Sequence, residues 1–239
     1  MKKLLLFLFA TILVFSLVGV SSATIMTYTN RALFEAALAT FQEDTFNDVS
    51  TDTIIPRFPD PGTNYLDRGP YTWQELGNDL SNYNMIDVSP FVSPDHNVDG
   101  TPFLRAAVVL GSQATRLRAT FDDPIFAFGF DYANLNDGGA GLDLLLGTAT
   151  EQEGVDPDSE LVSLLASLSE DGFFGVISTD NFTQVTFQAR GDTGTGEGFG
   201  IDNVVYGPAA SVPEPTTLLL LGTGLIGLAG LSRRKFFKK

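Results

Sequence analysis

The sequence predicts an all-β fold, a jelly-roll-like sandwich of two sheets with one amphipathic helix near the N-terminus. Three observations support this prediction. Segments of alternating apolar and polar residues recur between residues 83 and 206, as they do in strands with one buried face. Clusters of Gly, Asp and Asn separate these segments at short intervals, which is typical of β-sandwiches and barrels. One earlier segment instead places its apolar residues at helical spacing.

The helix is predicted over residues 30–44. Asn30 suits the N-cap position, because its side-chain oxygen can accept a hydrogen bond from a backbone N–H of the first turn. The apolar positions that follow are Leu33, Phe34, Ala37, Leu38 and Phe41. They cover only one face of a helix, so we expect the helix to lie on a sheet.

A long irregular loop is predicted over residues 53–77, since prolines and glycines recur along it. Tyr65, Tyr71 and Trp73 belong to this segment. Their rings could stack on the sugar rings of a ligand, or they could pack as a lid over the core. They are the candidate ligand-binding residues.

The remaining segments are predicted to be strands. They are residues 83–88, 103–110, 114–121, 125–132, 142–149, 160–168, 173–179, 182–189 and 199–206. Segment 160–168 also fits a helix by the spacing of its leucines, and both alternatives stay open at this stage.

Both ends of the chain are predicted to be targeting segments outside the fold. Residues 1–23 have the basic start, apolar run and small residues of a signal peptide, with cleavage after Ala23. Residues 216–231 carry no charge and predict a transmembrane helix of about 24 Å, slightly shorter than a hydrocarbon core of about 30 Å. The basic residues after it should stay in the cytoplasm. Residues 24–208 then form one exported domain.

The C-terminal segment, residues 211–239, has three parts in order: Pro213-Glu214-Pro215, the apolar run, and Arg233-Arg234-Lys235. This combination resembles the PEP-CTERM sorting signal of Gram-negative bacteria. The resemblance implies export by the general secretion machinery and transient anchoring in the inner membrane. It further implies that an exosortase recognises the tail and cuts near Pro-Glu-Pro, which leaves the mature protein at the cell surface or outside the cell.

The exported domain is strongly acidic. It contains seven arginines, no lysine and 28 acidic residues, a formal net charge of −21. Such a charge argues against nucleic acid or an anionic membrane surface as a partner. It suits an extracellular protein or one that binds divalent cations. The chain has no cysteine, so neither disulfides nor cysteine-ligated metals are available.

Calcium is the predicted cofactor, because oxygen atoms of carboxylates and amides are its preferred ligands. The candidate ligands are Asn136 and Asp137, which follow a predicted strand, and Asp131 and Asp202, which lie on strands. The body also bears a looser resemblance to exported jelly-roll domains of the carbohydrate-binding-module type. That resemblance implies a calcium role for Asp202. The alternative is that these side chains cap turns without a metal.

No catalytic residue is predicted. His96 is the single histidine and lies in a segment of turn composition, without a nucleophile elbow elsewhere. We therefore predict a non-catalytic structural or carbohydrate-binding module of the exopolysaccharide matrix. The alternative is a secreted hydrolase acting on matrix polysaccharide, which would show two carboxyl groups about 5–10 Å apart across a cleft.

Overall fold

The structure is a computed structural model, and it describes residues 24–58, 65–77, 83–89, 94–109, 115–135, 142–148, 160–164, 171–189 and 196–208. The predicted signal peptide, residues 1–23, and the predicted transmembrane helix, residues 216–231, lie outside these ranges. Across the described ranges, no helix combines the length and the apolar character needed to cross a membrane.

Strands make up most of the described chain, as the all-β prediction requires. In chain order the elements are β1 (Ile25–Tyr28), α1 (Arg31–Ala36), β2 (Gln42–Asp44), β3 (Thr53–Ile54), β4 (Arg57–Phe58), β5 (Leu66–Asp67), β6 (Tyr71–Gly77), β7 (Met85–Asp87), a 3-10 turn (Pro94–His96), β8 (Phe103–Val109), β9 (Thr115–Ala133), β10 (Leu142–Gly147), β11 (Glu160–Leu164), β12 (Gly172–Ala189) and β13 (Gly196–Gly207).

The strands form one hydrogen-bonded network. Its main path runs β11-β10-β12-β9-β13-β8-β7-β3, while β1 pairs with β12, β2 with β13, and β6 with β9. The pairs on the main path are antiparallel. Strands β9 and β12 lie at its centre and share the longest ladder.

The network folds over itself into two layers because β12 and β9 bend. In a straight strand at roughly 3.3 Å per residue, Phe174 and Phe187 would lie about 43 Å apart. Their ring centroids nevertheless lie 6.2 Å and 5.4 Å from that of Phe130. The two halves of β12 therefore face each other, and the aromatic core fills the space between them.

Each bend is marked by three exposed residues inside a strand. In β9 these are Asp122, Asp123 and Pro124, and in β12 they are residues 179–181. Proline has no N–H to donate, so it is tolerated where a ladder is interrupted. The sequence predicted turns at both places and so divided β9 and β12 into two strands each, over 114–121 and 125–132 and over 173–179 and 182–189. The structure corrects this.

Two further predictions are settled by strand pairing. Segment 160–164 is a strand rather than a helix, because it pairs with β10. The loop predicted over residues 53–77 instead contains β6, which pairs with β9 from Tyr71 to Gly77. Its burial alternates over the first residues, with Tyr71 and Trp73 buried and Thr72 partly exposed. Residues for the two faces of a strand do alternate at the start of this stretch, but the prolines before it led to the prediction of a loop.

Helix α1 is shorter than the helix predicted over residues 30–44. Asn30 is its N-cap, and its side chain accepts a hydrogen bond from the Leu33 N–H at 3.0 Å. The helix ends at Ala36, and the later residues Gln42–Asp44 pair with β13 instead. Only part of the expected apolar face is buried, since Phe34 is 0% exposed and Leu33 is 64% exposed.

Candidate functional site

Several predicted site residues lie outside the described part of the chain. They are Pro213, Glu214, Pro215, Arg233, Arg234 and Lys235 of the tail, together with Asn136 and Asp137 of the predicted calcium site. The structure places the others, and it brings two of them together. Asp131 on β9 and Asp202 on β13 are direct neighbours across the ladder.

The ladder is irregular next to this pair. Its register shifts immediately after Asp202, and Asn203 adopts a positive φ of 50°. The Asn203 side-chain nitrogen donates to Asp131 Oδ2 at 3.1 Å. A left-handed backbone is uncommon for a residue with a side chain, although Asn tolerates it better than most. The irregularity lets both the side chain and the carbonyl of Asn203 join the site.

Arg31, the first residue of α1, places its guanidinium in front of Asp131. Nη1 lies 2.7 Å from Asp131 Oδ2. Nε lies 2.8 Å from Glu35 Oε1, and Nη2 lies 2.6 Å from Glu43 Oε1. Both terminal nitrogens also donate to the Asn203 carbonyl, at 3.0 and 3.1 Å. One cation therefore joins carboxylates from α1, β2 and β9, and all its nitrogens are engaged.

Asp202 lies deeper than Asp131 and is 0% exposed. The backbone N–H of Asn203 donates to its Oδ1 at 2.6 Å. The Thr101 hydroxyl lies 3.3 Å from its Oδ2 and 2.6 Å from Asp99 Oδ1. Three carboxyl groups, those of Asp99, Asp131 and Asp202, thus share one small region of the sheet end.

The surroundings change the pKa of each of these carboxyl groups. Burial, opposed by the Asn203 N–H and reinforced by the charge of Asp99, raises the pKa of Asp202 to about 7. Burial also raises the pKa of Asp131, against the opposing charge of Arg31. Burial acts in the same direction on Asp99, but hydrogen bonds from Thr101 outweigh it and lower the pKa of that group. Asp202 is therefore the carboxyl group most readily protonated near neutral pH.

A calcium ion at these residues would compete with Arg31. Calcium takes six to eight oxygen ligands, whereas the Asp131 carboxylate already faces the Arg31 guanidinium. No group of three or more His, Cys, Asp or Glu side chains in the described part of the chain is arranged to hold a metal ion. The predicted ligands Asn136 and Asp137 fall outside it, so calcium stays a prediction.

The aromatic residues predicted to bind a ligand separate into two groups. Tyr65 is 48% exposed, whereas Tyr71 and Trp73 are 0% exposed. The Tyr71 hydroxyl donates to Asp44 Oδ2 at 2.8 Å, and its ring packs against that of Phe121 at 5.1 Å. Tyr71 and Trp73 are core residues, so the prediction that they stack on sugar rings is corrected: their rings have no face open to solvent.

Two neutral side chains lie close to the His96 ring. Its Nε2 lies 3.5 Å from the Tyr83 hydroxyl and 3.3 Å from the Asn134 side-chain nitrogen. Its backbone carbonyl passes so close to Gly200 that a Cβ there would lie 1.7 Å from the oxygen. His96 therefore fixes how the 3-10 turn packs on β13.

A cavity that the sequence did not indicate lies at the bend of β9. Its volume is about 210 Å³. Buried Phe121, Ile125 and Tyr206 line it, together with exposed Asp122 and Asp123. The lining is completed by Gln42, Gly207, Pro70, Pro124 and Pro208. The one sequence signal that could have found it is Asp-Asp-Pro inside an otherwise alternating strand.

Residues 211–235 match the family model of the PEP-CTERM protein-sorting motif. The chain therefore carries this motif, as its Pro-Glu-Pro, apolar run and basic end predicted. The motif indicates an exported protein whose precursor is anchored in a membrane and processed by an exosortase. The match covers the tail and says nothing of the body.

Solved structures similar to this chain include the K1 cleaved adhesin domain of Lys-gingipain from Porphyromonas gingivalis W83, with 8% identity over 72% of this chain and 100% of that chain and a TM-score of 0.41. A mutant of the family 29 carbohydrate-binding module CBM29-2 has 19% identity over 70% and 93%, with a TM-score of 0.34. The CBM32-1 and CBM32-2 domains of Clostridium perfringens ZmpB have 12% identity over 76% and 42%, with a TM-score of 0.34. Likenesses at these TM-scores carry no inference about ligand or activity. No curated protein sequence matches the chain.

Proposed function

We propose that this chain is an exported protein that exosortase processing delivers to the cell surface or the medium. There its β-sandwich body is a non-catalytic structural or carbohydrate-binding module of the exopolysaccharide matrix. The observation behind the proposal is the sorting motif at residues 211–235. The proposal includes a jelly-roll-like connection of the two layers and a membrane-spanning helix over residues 216–231 that holds the precursor until it is cut.

The non-catalytic role is supported by how the acidic residues are used. Asp131 is held by Arg31, and Asp202 is fully buried beside it. A glycosidase needs two carboxyl groups that flank the scissile bond of a bound sugar. Asp131 and Asp202 are instead neighbours within one sheet. Their arrangement suits a structural role that fixes helix α1 to the strands.

Replacing Pro213 and Glu214 with Ala tests the sorting part of the proposal. We expect the double variant to accumulate in the membrane with its tail uncut, because the exosortase no longer recognises the motif. Mass spectrometry of the membrane and released fractions measures the cut. Asp180→Asn, an exposed change in the body, is the matched control and should be processed normally. Unchanged processing of the double variant would contradict the proposal.

The alternative function for the body is that of a secreted hydrolase. Purified protein incubated with matrix polysaccharide should bind without releasing new reducing ends. Release of reducing ends in proportion to protein concentration would favour the hydrolase.

A further inference from the structure

We infer that the cavity at the bend of β9 binds one amino sugar residue, through the ammonium group of the sugar and the apolar face of its ring. This inference rests on the proposed function, since it names a ligand class for the body as a carbohydrate-binding module. None of the residues that line the cavity belongs to the Arg31 site.

The cavity is built by contacts that do not need a ligand. The Asp122 backbone N–H donates to the Pro70 carbonyl at 3.1 Å, which fixes the bend of β9 against the start of β6. The rings of Phe121 and Tyr206 pack at 5.1 Å between centroids. The Tyr206 hydroxyl donates to Gln42 Oε1 at 3.1 Å. Such preorganisation lowers the entropy cost of binding.

The volume limits the ligand to one small ring. Pockets for drug-sized ligands span about 300–1,000 Å³, whereas this cavity holds about 210 Å³. It opens to solvent at a rim that includes Asp122, Asp123 and Pro124, all exposed. A single residue of a longer glycan can therefore enter while its neighbours stay outside.

The charges at the rim select a cation. Asp122 and Asp123 carry two carboxylates, and no Lys, Arg or His is among the residues that line the cavity. A phosphate or a uronic acid would be repelled at this rim, whereas an ammonium group would form charge-assisted hydrogen bonds. The net charge of the exported domain, −21, acts in the same direction at longer range.

The floor selects a ring with an apolar face. Phe121, Ile125 and Tyr206 are 4%, 6% and 5% exposed, and the small apolar surface that they leave at the floor can pack against the C–H face of a sugar. The Gln42 amide and the Tyr206 hydroxyl lie beside this floor and can form hydrogen bonds with sugar hydroxyls. The apolar floor would contribute no binding energy for a metal ion, and the two carboxylates would contribute little for a neutral sugar. An amino sugar uses both.

Titration of the full chain in detergent with glucosamine, N-acetylglucosamine and glucose tests the inference. We expect glucosamine to bind saturably with a dissociation constant in the millimolar range, as befits one small ring. The other two sugars should bind at least about tenfold more weakly. Nuclear magnetic resonance of the backbone amides of Ile125 and Gly207 reports occupancy of this cavity.

The double variant Asp122→Asn and Asp123→Asn should weaken glucosamine binding by about tenfold or more, because each change removes a charge and little volume. Asp180→Asn is the matched control, since it removes an exposed charge at the corresponding bend of β12. Its affinity should equal that of the wild type. Equal weakening by the control would show a general charge effect and overturn the assignment.

Three other outcomes would also overturn it. They are the absence of saturable glucosamine binding, equal affinity for glucose and glucosamine, and tighter binding of lysine methyl ester, which would point to a basic peptide. These results leave the sorting proposal intact, and the carbohydrate-binding part of the proposed function is tested separately by binding of the purified protein to matrix polysaccharide. Failure of the ligand assignment and failure of the proposed function are therefore distinguishable.

Discussion

Arg31 holds three carboxylates that belong to three different elements, and its contact with the Asn203 carbonyl spans 172 positions of sequence. Asp202 and its neighbour Asp131 were named from the sequence through the resemblance to carbohydrate-binding modules, because alternation alone does not show which strands pair. The role of Arg31 could not, since nothing in the local sequence of α1 shows which strand its side chain meets. Carboxylate oxygens are also the ligands that calcium prefers, but the Asp131 carboxylate faces the Arg31 guanidinium.

Arg31→Met should lower the free energy of unfolding by about 2 kcal/mol, because Glu35, Glu43 and Asp131 then face one another without a cation. The melting temperature should fall by about 4–8 °C. Arg31→Lys keeps the charge but cannot make the same forked contacts, so its melting temperature should lie between the two. A Met variant as stable as the wild type would contradict this account.

The same melts in EDTA and in excess calcium test the calcium prediction. A chelator-induced fall in the melting temperature of the wild type would support calcium bound through residues such as Asn136 and Asp137. An unchanged melting temperature would remove calcium as a cofactor.

Asp202 makes stability depend on pH. Its pKa of about 7 in the fold lies above its ordinary value of 3.8, so the folded state binds the proton more tightly than the unfolded chain does. The stability that Asp202 contributes is therefore full below about pH 4, falls by up to about 1.4 kcal/mol per pH unit between about pH 4 and 7, and is lost once the pH has risen through 7. Asp99 and Asp131 are charged groups that raise its pKa further.

Asp202→Asn should flatten this slope between pH 4 and 7, because an amide imitates the protonated acid. Thermal melts in EDTA across that range measure it, with Asp180→Asn as a control that keeps the slope. A wild type whose stability rises over the same range would show that Asp202 is not the group responsible.

At the scale of elements, the packing of α1 requires glycines on the strands beneath it. A Cβ at Gly175 would lie 2.7 Å from Phe34 Cδ2, and one at Gly129 would lie 2.9 Å from Phe34 Cε1. The ring of Phe34 thus packs directly on the backbone of β12 and β9. The helix is only six residues long, so this contact and the Arg31 contacts hold it in place, rather than its own propensity.

Gly175→Ala should destabilise the protein by about 1–3 kcal/mol, since the added methyl overpacks the contact. In a Phe34→Leu background the same change should cost less, which gives a coupling energy of about 1 kcal/mol in a double-mutant cycle. Chemical denaturation of the four proteins measures it. Additive effects would mean that the two residues do not meet as described.

Strand existence could be predicted from alternation, as the two halves of β9 show, but strand continuity could not. The exposed residues at the bends of β9 and β12 look like turns, because a bent strand and a hairpin both place polar residues at the surface. The cavity was hidden for the same reason. It is formed where the bend of β9 meets β13 and the start of β6, and such a meeting depends on tertiary contacts that no local pattern contains.

At the scale of the whole molecule, the chain divides into a body that the structure describes and two ends that the sequence explains. The export prediction rested on tail residues whose order alone is distinctive, so it could be made without coordinates. The ligand could not be predicted in this way, because its recognition depends on where buried rings and exposed acids meet.

The body also sets how the protein responds to force. The tail follows directly on β13, which is hydrogen-bonded to β9 along one edge and to β8 and β2 along the other. These bonds lie across the strand, so a pull along it must shear many of them together. While the precursor is still tethered, a force applied through the tail therefore acts on β13, a central strand with partners on both sides. It does not act on an edge strand whose hydrogen bonds could break one at a time.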